Sequence, residues 1–95
     1  MTRQNENSAP HQRTRRDHAT ETAEDYVEAI ADIQESLGTC RVRDLSQRFA
    51  VSHVTVTRIV SRLQSEGLVE TAPYRPIELT LQGKRLATRS RKRHE

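Results

Sequence analysis

Residues 52–65 carry hydroxyl and guanidinium groups at the spacing of one helix face. The apolar residues of this segment also recur at helical spacing, and they are Val56, Ile59, Val60 and Leu63. If these residues face a core, the opposite face must be exposed, and it consists of Val54, Arg58, Ser61, Arg62 and Ser65, flanked by Thr55 and Thr57. Arginine pairs with guanine O6 and N7, and a threonine hydroxyl serves several bases. We therefore expect this face to bind the DNA major groove, the alternative being a merely solvated face.

The predicted DNA-binding set is completed by Ser52, His53 and Arg75. Ser52 offers a hydroxyl at an exposed helix N-terminus, which can bind a phosphate, although an N-cap alone also explains it. We expect Arg75 to contact the DNA backbone or the minor groove. The alternative is an isolated surface arginine. Val54 is an outward apolar residue that can pack on a thymine methyl, or else contacts the preceding helix.

The charges are segregated along the chain. The 95 residues contain 16 Lys+Arg and 13 Asp+Glu, a formal net charge of +3. Between positions 21 and 35 there are six acids and no Lys or Arg, whereas positions 41–93 hold twelve bases and four acids. A basic excess concentrated in the folded part indicates a polyanionic partner.

Composition excludes several classes of protein. The length fits one small domain, and no apolar run exceeds three residues, which excludes a membrane span and a secretory leader. The single cysteine, Cys40, excludes an internal disulfide and a cysteine-based zinc cluster, and we expect it to be a small buried residue. With no nucleophile–base pair and no glycine-rich phosphate loop, we expect a cytoplasmic protein that is not an enzyme and has no small-molecule substrate.

The N-terminal half is predicted to contain a tail and two helices. Residues 1–20 lack Ile, Leu, Val and Phe, so we expect a disordered basic tail whose arginines either contact phosphates or remain solvated. A first helix begins near Thr20 or Thr22 and ends at Gly38, and its predicted apolar stripe is Tyr26, Ile30, Ile33 and Leu37. Residues 39–42 favour a short linking strand. A second helix, residues 43–50, buries Leu45 and Phe49, and Asp44 in its first turn suits the helix dipole.

The second half predicts a helix, a hairpin and a last helix. Ser52 caps the third helix, which runs to Glu66 and is stopped by Gly67. Strands over residues 68–71 and 77–79 flank a proline-containing tip, and Thr80 caps the last helix. Residues 21–95 are thus predicted to form a mainly α domain with a small β-hairpin, a winged helix-turn-helix.

Four sequence stretches resemble the manganese-transport regulators of the diphtheria-toxin repressor (DtxR) family. They are DYVEAIADI at 25–33, VRDLSQRFAVS at 42–52, VTRIVSRL at 56–63, and GLVE at 67–70 followed by PYR at 73–75. The resemblance covers about residues 22–95. It implies a cytoplasmic, homodimeric, metal-activated repressor whose winged helix binds a palindromic operator when Mn(II), or Fe(II) in other members, is bound.

The resemblance also implies three metal ligands: Asp25, Glu28 and His94. Asp25 and Glu28 are neighbours on one helix face, and carboxylate oxygens with one imidazole suit Mn(II). Asp32 lies on the same stripe as a conceivable extra ligand outside the family pattern. Without the resemblance, the acids would be solubilising charges and helix-dipole partners, and His94 a frayed terminal residue.

The sequence departs from the family pattern after His94. We expect the family's C-terminal metal-binding and dimerisation domain to be absent, and the chain to be either a fragment or an abbreviated protein that binds metal weakly. Pro76 also stands where the family often has glycine, which stiffens the wing tip. The predicted function is a metal-dependent DNA-binding repressor of metal-uptake genes. The alternative is a winged-helix interaction module that pairs with a full-length regulator without binding DNA.

Overall fold

The computed structural model describes residues 22–94, which form four helices and one β-hairpin. In chain order the elements are α1 (residues 22–37), α2 (Val42–Phe49), α3 (His53–Ser65), β1 (Val69–Glu70), β2 (Glu78–Leu79) and α4 (Leu81–Arg93). The predicted mainly α fold with a hairpin after the third helix is confirmed. The predicted tail and the candidate cap Thr20 lie outside the described residues, and Thr22 is itself helical. No helix in residues 22–94 has both the length and the apolar character needed to cross a membrane.

Helices α1 and α2 end where the backbone enters the left-handed region. Gly38 has φ +87°, and its N–H donates to the Gln34 carbonyl at 2.9 Å. Ala50, which follows α2, has φ +55°, a conformation that costs a non-glycine residue roughly 1–2 kcal/mol. Two bonds between Ser46 and Val51 hold this turn: the Val51 N–H donates to the Ser46 carbonyl at 3.2 Å, and the Ser46 hydroxyl donates to the Val51 carbonyl at 2.6 Å. The short α2–α3 turn is therefore fixed by hydrogen bonds.

Side chains of α1, α2, α3 and the hairpin region build the core, and each of these regions contributes at least one fully buried side chain. The largest are Ile30, Leu45, Leu63 and Ile77. Tyr26 and Phe49 stack with ring centroids 4.3 Å apart and an interplanar angle of 5°. Burial, together with the nearby Asp44 carboxylate, raises the pKa of the Cys40 thiol to about 12. Cys40 is thus a protonated, buried side chain, in agreement with its predicted packing role.

Two sequence predictions about the core were wrong. Leu37 does not belong to the α1 stripe, because it lies in the last turn beyond the core and is 65% exposed. Residues 39–42 do not form a linking strand. Only the Cys40 carbonyl joins the hairpin region, where it accepts the Ile77 N–H at 2.8 Å, and one such bond is too little for a strand. The observed strands are also shorter than predicted, at two residues each.

Helix α4 is anchored at its first turn. The Thr80 Oγ1 accepts the Gly83 N–H at 3.0 Å and donates to the Gly67 carbonyl at 2.6 Å. A Cβ atom on Gly83 would lie only 2.0 Å from the Leu68 carbonyl oxygen. The close approach of α4 to the segment before β1 therefore requires glycine at this position.

Replacing Gly83 by alanine is expected to destabilise the domain. The clash should cost about 1–3 kcal/mol, the usual range for overpacking, although alanine is a better helix former by ~1 kcal/mol. Urea unfolding followed by circular dichroism measures the free energy of unfolding. The exposed Gln82→Ala variant in the same turn is the control and should be near wild type. Equal stability of Gly83→Ala and Gln82→Ala would contradict this packing of α4.

Candidate nucleic-acid interface

The start of α3 is fixed by its N-cap. The Ser52 Oγ accepts the Thr55 N–H at 3.1 Å and lies 3.1 Å from the Thr55 Oγ1. The Ser52 carbonyl accepts the Val56 N–H at 3.1 Å as the first bond of the helix. Ser52 was predicted both as a cap and as a phosphate-binding residue; the cap is confirmed, and phosphate binding stays a prediction.

The orientation of α3 is set by its buried face. Val56, Val60 and Leu63 are buried and hold the helix on the core. The opposite face is open to solvent over its whole length, and its exposed members are His53, Val54, Thr57, Arg58, Ser61, Arg62 and Ser65. Val54 is 77% exposed, which rules out the alternative that it packs on α2. Thr55 is half-buried, and its hydroxyl lies within hydrogen-bond distance of that of Ser52.

The two arginines of this face differ in their surroundings. Arg58 makes no ion pair or hydrogen bond with any of residues 22–94, so its five N–H donors are available. Arg62 is 3.5 Å from Glu66, one turn further along the helix. Sequence reasoning missed Glu66 as a partner, although the i, i+4 spacing of the two residues is the signal that predicts such a pair. The geometry therefore favours Arg58 over Arg62 as a base-reading residue.

The hairpin tip presents a second exposed pair of residues. Tyr74 is 99% exposed and has φ +65°, an unusual conformation for a bulky residue. Arg75 is exposed, and its N–H donates to the Ala72 carbonyl at 3.0 Å. Tyr74 was missed in the sequence analysis, although an aromatic residue between two prolines at a hairpin tip was a usable signal. The tip thus offers a ring and a guanidinium side by side.

The flank of the hairpin is acidic. Glu70 and Glu78 lie directly opposite each other on β1 and β2, and both are exposed. Like charges at such cross-strand positions repel each other, and they also repel phosphates. Contact of the hairpin with a polyanion is therefore restricted to its tip.

The acids of α1 pair with bases of α2 and α4. Asp32 lies 2.6 Å from Arg91 and 3.2 Å from Arg48, so the predicted extra metal ligand is engaged by two arginines. The remaining pairs are Glu35–Arg91 at 3.5 Å and Glu24–Arg93 at 2.5 Å. The Glu35 and Asp32 charges raise the pKa of Arg91, and the hydrogen bond and charge of Glu24 raise that of Arg93. These acids thus take part in contacts between helices.

The predicted metal ligands are only partly brought together. His94 Nδ1 lies 3.3 Å from the Glu28 carboxylate, joining α1 to the end of α4. Asp25 is exposed, and residues 22–94 contain no group of three or more His, Cys, Asp or Glu side chains placed to hold a metal ion. The Glu28–His94 pair nevertheless has the oxygen and nitrogen donors that suit a divalent cation such as Mn(II).

Comparison with known structures identifies the fold. A MarR family protein from Bacillus stearothermophilus has a TM-score of 0.58 at 16% identity, covering 98% of this chain and 75% of that one. A transcriptional regulator from Thermotoga maritima has a TM-score of 0.58 at 22% identity, covering 90% of this chain and 73% of that one. These likenesses establish the winged-helix architecture.

Sequence comparison identifies the family. The chain is 41% identical over 78 residues to the transcriptional regulator MntR of Escherichia coli O157:H7, covering 82% of this chain and 50% of that protein. It is 36% identical over 76 residues to the regulator MntR of Bacillus subtilis, covering 80% and 54%. The chain thus spans about half the length of these relatives, which are transcriptional regulators and not enzymes. Residues 18–77 match the iron dependent repressor N-terminal DNA binding domain, and the chain belongs to this DtxR-type family, as its sequence motifs predicted.

Proposed function

We propose that this chain binds duplex DNA through the outer face of α3 and acts as the reading head of a transcriptional regulator. The observation that carries the proposal is that this face is uncovered by residues 22–94 and displays Arg58 without a partner. A buried inner face fixes the helix, so the outer side chains are presented on a rigid element. A rigid helix of this width fits the major groove.

Each exposed group of α3 has a distinct proposed role. Arg58 forms two hydrogen bonds to guanine O6 and N7, while Val54 packs on a thymine methyl. Thr57 and Ser61 supply hydroxyls for base edges or phosphates. His53, the first residue of α3, lies beside the DNA backbone. Arg62 contacts a phosphate, because the neighbouring Glu66 competes for its guanidinium.

Two further contacts orient the domain on DNA. The α3 N-terminus, with Ser52 and Thr55, binds a phosphate at the positive end of the helix dipole. At the other end of the interface, Arg75 and Tyr74 extend from the hairpin tip toward the backbone or the minor groove. Two such domains in a homodimer would match half-sites ~34–36 Å apart.

The finer proposal is a metal-dependent repressor of metal uptake. Glu28 and His94, with Asp25 on the same helix, would hold Mn(II), or alternatively Fe(II). A bound ion supplies positive charge between α1 and α4. The chain's own side chains already hold α4 against α1 through the Glu24–Arg93 and Asp32–Arg91 pairs. What the chain contributes is thus a carboxylate and an imidazole kept 3.3 Å apart by these neighbouring contacts.

The DNA-binding proposal is tested with Arg58→Ala. A duplex is first selected with the wild-type chain from a random-sequence pool, and its affinity is measured by fluorescence anisotropy. Loss of the bidentate contact should weaken binding by about 10- to 100-fold, corresponding to ~1–3 kcal/mol of discrimination. The Arg58→Lys control keeps the charge and should retain binding to unselected duplex while losing preference for the selected one.

The competing interaction-module hypothesis makes the opposite prediction. If Arg58→Ala binds the selected duplex as tightly as the wild type, α3 does not read DNA through this arginine. If the wild type itself shows no salt-dependent affinity for any duplex, the module hypothesis is favoured and DNA binding is rejected.

The metal proposal is tested by titrating Mn(II) into the tag-free chain. Paramagnetic broadening should be strong for the ring protons of His94 and weak for those of His53. His94→Ala and Glu28→Ala should weaken Mn(II) binding at least about tenfold, a loss typical even of outer-shell partners, whereas His53→Ala should have no effect. Equal broadening of both histidines, or unchanged affinity in His94→Ala, would contradict the assignment.

A further inference from the structure

The bases of α4 fall into two groups. Arg91 and Arg93 pair with acids of α1, as described above. The second group makes no ion pair with any of residues 22–94 and is exposed; its members are Lys84, Arg85, Arg89 and Lys92. The proposed reading face on α3 does not include them. They form a separate, unused positive surface, which we call the α4 basic face.

The α4 basic face points away from the core. The buried residues of the helix, Gly83, Ala87 and Ser90, follow the spacing i, i+4, i+7. Arg85, Arg89 and Lys92 follow the same spacing two positions later, which places them on the opposite side of the helix. Arg85, Arg89 and Lys92 therefore share one exposed stripe along about two turns, and Lys84 lies at its side.

The helix dipole accounts for only one of these charges. It favours positive charge in the last turn, where Lys92 lies, whereas Lys84 and Arg85 lie near the N-terminal end. Arg85 and Arg89 are one turn apart and repel each other. Since the helix dipole does not explain Lys84, Arg85 and Arg89, a ligand with several negative charges is their natural counterpart.

We propose that the α4 basic face binds the phosphates of duplex DNA without reading sequence, as a second contact beside that of α3. The choice of DNA as the polyanion rests on the proposed function. A membrane surface fits less well, because a helix that inserts in a bilayer interface needs a broad exposed apolar face, whereas α4 exposes a single large apolar side chain, Leu81. The one hydroxyl on this stripe, that of Thr88, donates to the Lys84 carbonyl at 3.0 Å and is not free to select a base.

The test compares variants that remove two charges from different places. Arg85→Ala/Arg89→Ala removes them from the α4 basic face, and the matched control Arg41→Ala/Arg43→Ala removes two exposed, unpaired arginines near the start of α2. Binding of a random-sequence duplex is followed by fluorescence anisotropy between about 50 and 200 mM salt. Circular dichroism and thermal unfolding establish that every variant is folded.

The α4 double variant should bind the random duplex at least tenfold more weakly at the lowest salt. Its slope of log affinity against log salt should fall by about 2, since each phosphate contact contributes about 0.9. The charge-preserving Arg85→Lys/Arg89→Lys variant and the α2 control should keep the wild-type slope. Binding to the selected and the random duplex should weaken by the same factor, because these contacts carry no sequence information.

Three results would overturn the proposal: an unchanged slope in the α4 variant, an equal loss in the α2 control, or charge-dependent binding of phosphatidylglycerol vesicles without binding of duplex. These outcomes are separable from failure of the proposed function. That failure appears as a wild type with no preference between selected and random duplex, whereas the present proposal concerns only the salt slope that both duplexes share.

Discussion

The distribution of charge over the domain depends on which groups pair with the acids of α1. Three acids on one side of this helix, Glu24, Asp32 and Glu35, pair with arginines of α2 and α4. A fourth, Glu28, contacts the imidazole of His94. The basic member of each pair is exposed, although the Glu24 and Glu28 side chains are mostly buried, and a single such pair contributes little to stability. The main consequence is electrostatic: these pairs neutralise one side of the domain, and the positive charge of Arg58, Arg75 and the α4 basic face remains unpaired.

The two sides of α3 also differ, because one packs on the core and the other is exposed. One side of this helix is committed to the core through Val56, Val60 and Leu63, and the turn before it is fixed by Ser46 and Ser52. The fold therefore presents a stiff helix rather than a mobile loop. Val54 at its start is 77% exposed and is available for contact with another molecule.

Most of the fold could be predicted from local signals. The caps Ser52 and Thr80 and the left-handed glycines Gly38 and Gly67 act over a few residues, so their effect is readable in the sequence. The error at Leu37 arose because helical spacing indicates a face but does not reveal where the core ends. The strand predicted at residues 39–42 failed because strand formation depends on a partner that the sequence does not specify.

The candidate site was predictable in part for the same reason. The exposed face of α3 follows from its periodicity, and the Arg62–Glu66 pair follows from its i, i+4 spacing. The pairs between α1 and α4 join residues more than 50 positions apart. Only the tertiary structure therefore shows that Asp32, the conceivable extra metal ligand, pairs with Arg91. Nor did the helix spacing of Asp25 and Glu28 show that His94 meets only the second of them.

The most direct measurement of the central claim is a nuclear magnetic resonance titration of the isotope-labelled chain with the selected duplex. The account predicts that the largest amide shifts fall between Ser52 and Arg62 and at Tyr74 and Arg75, with little change in the first half of α1. A tight complex in which the amides of α3 keep their free-state positions, while those of α1 or α2 move, would contradict it.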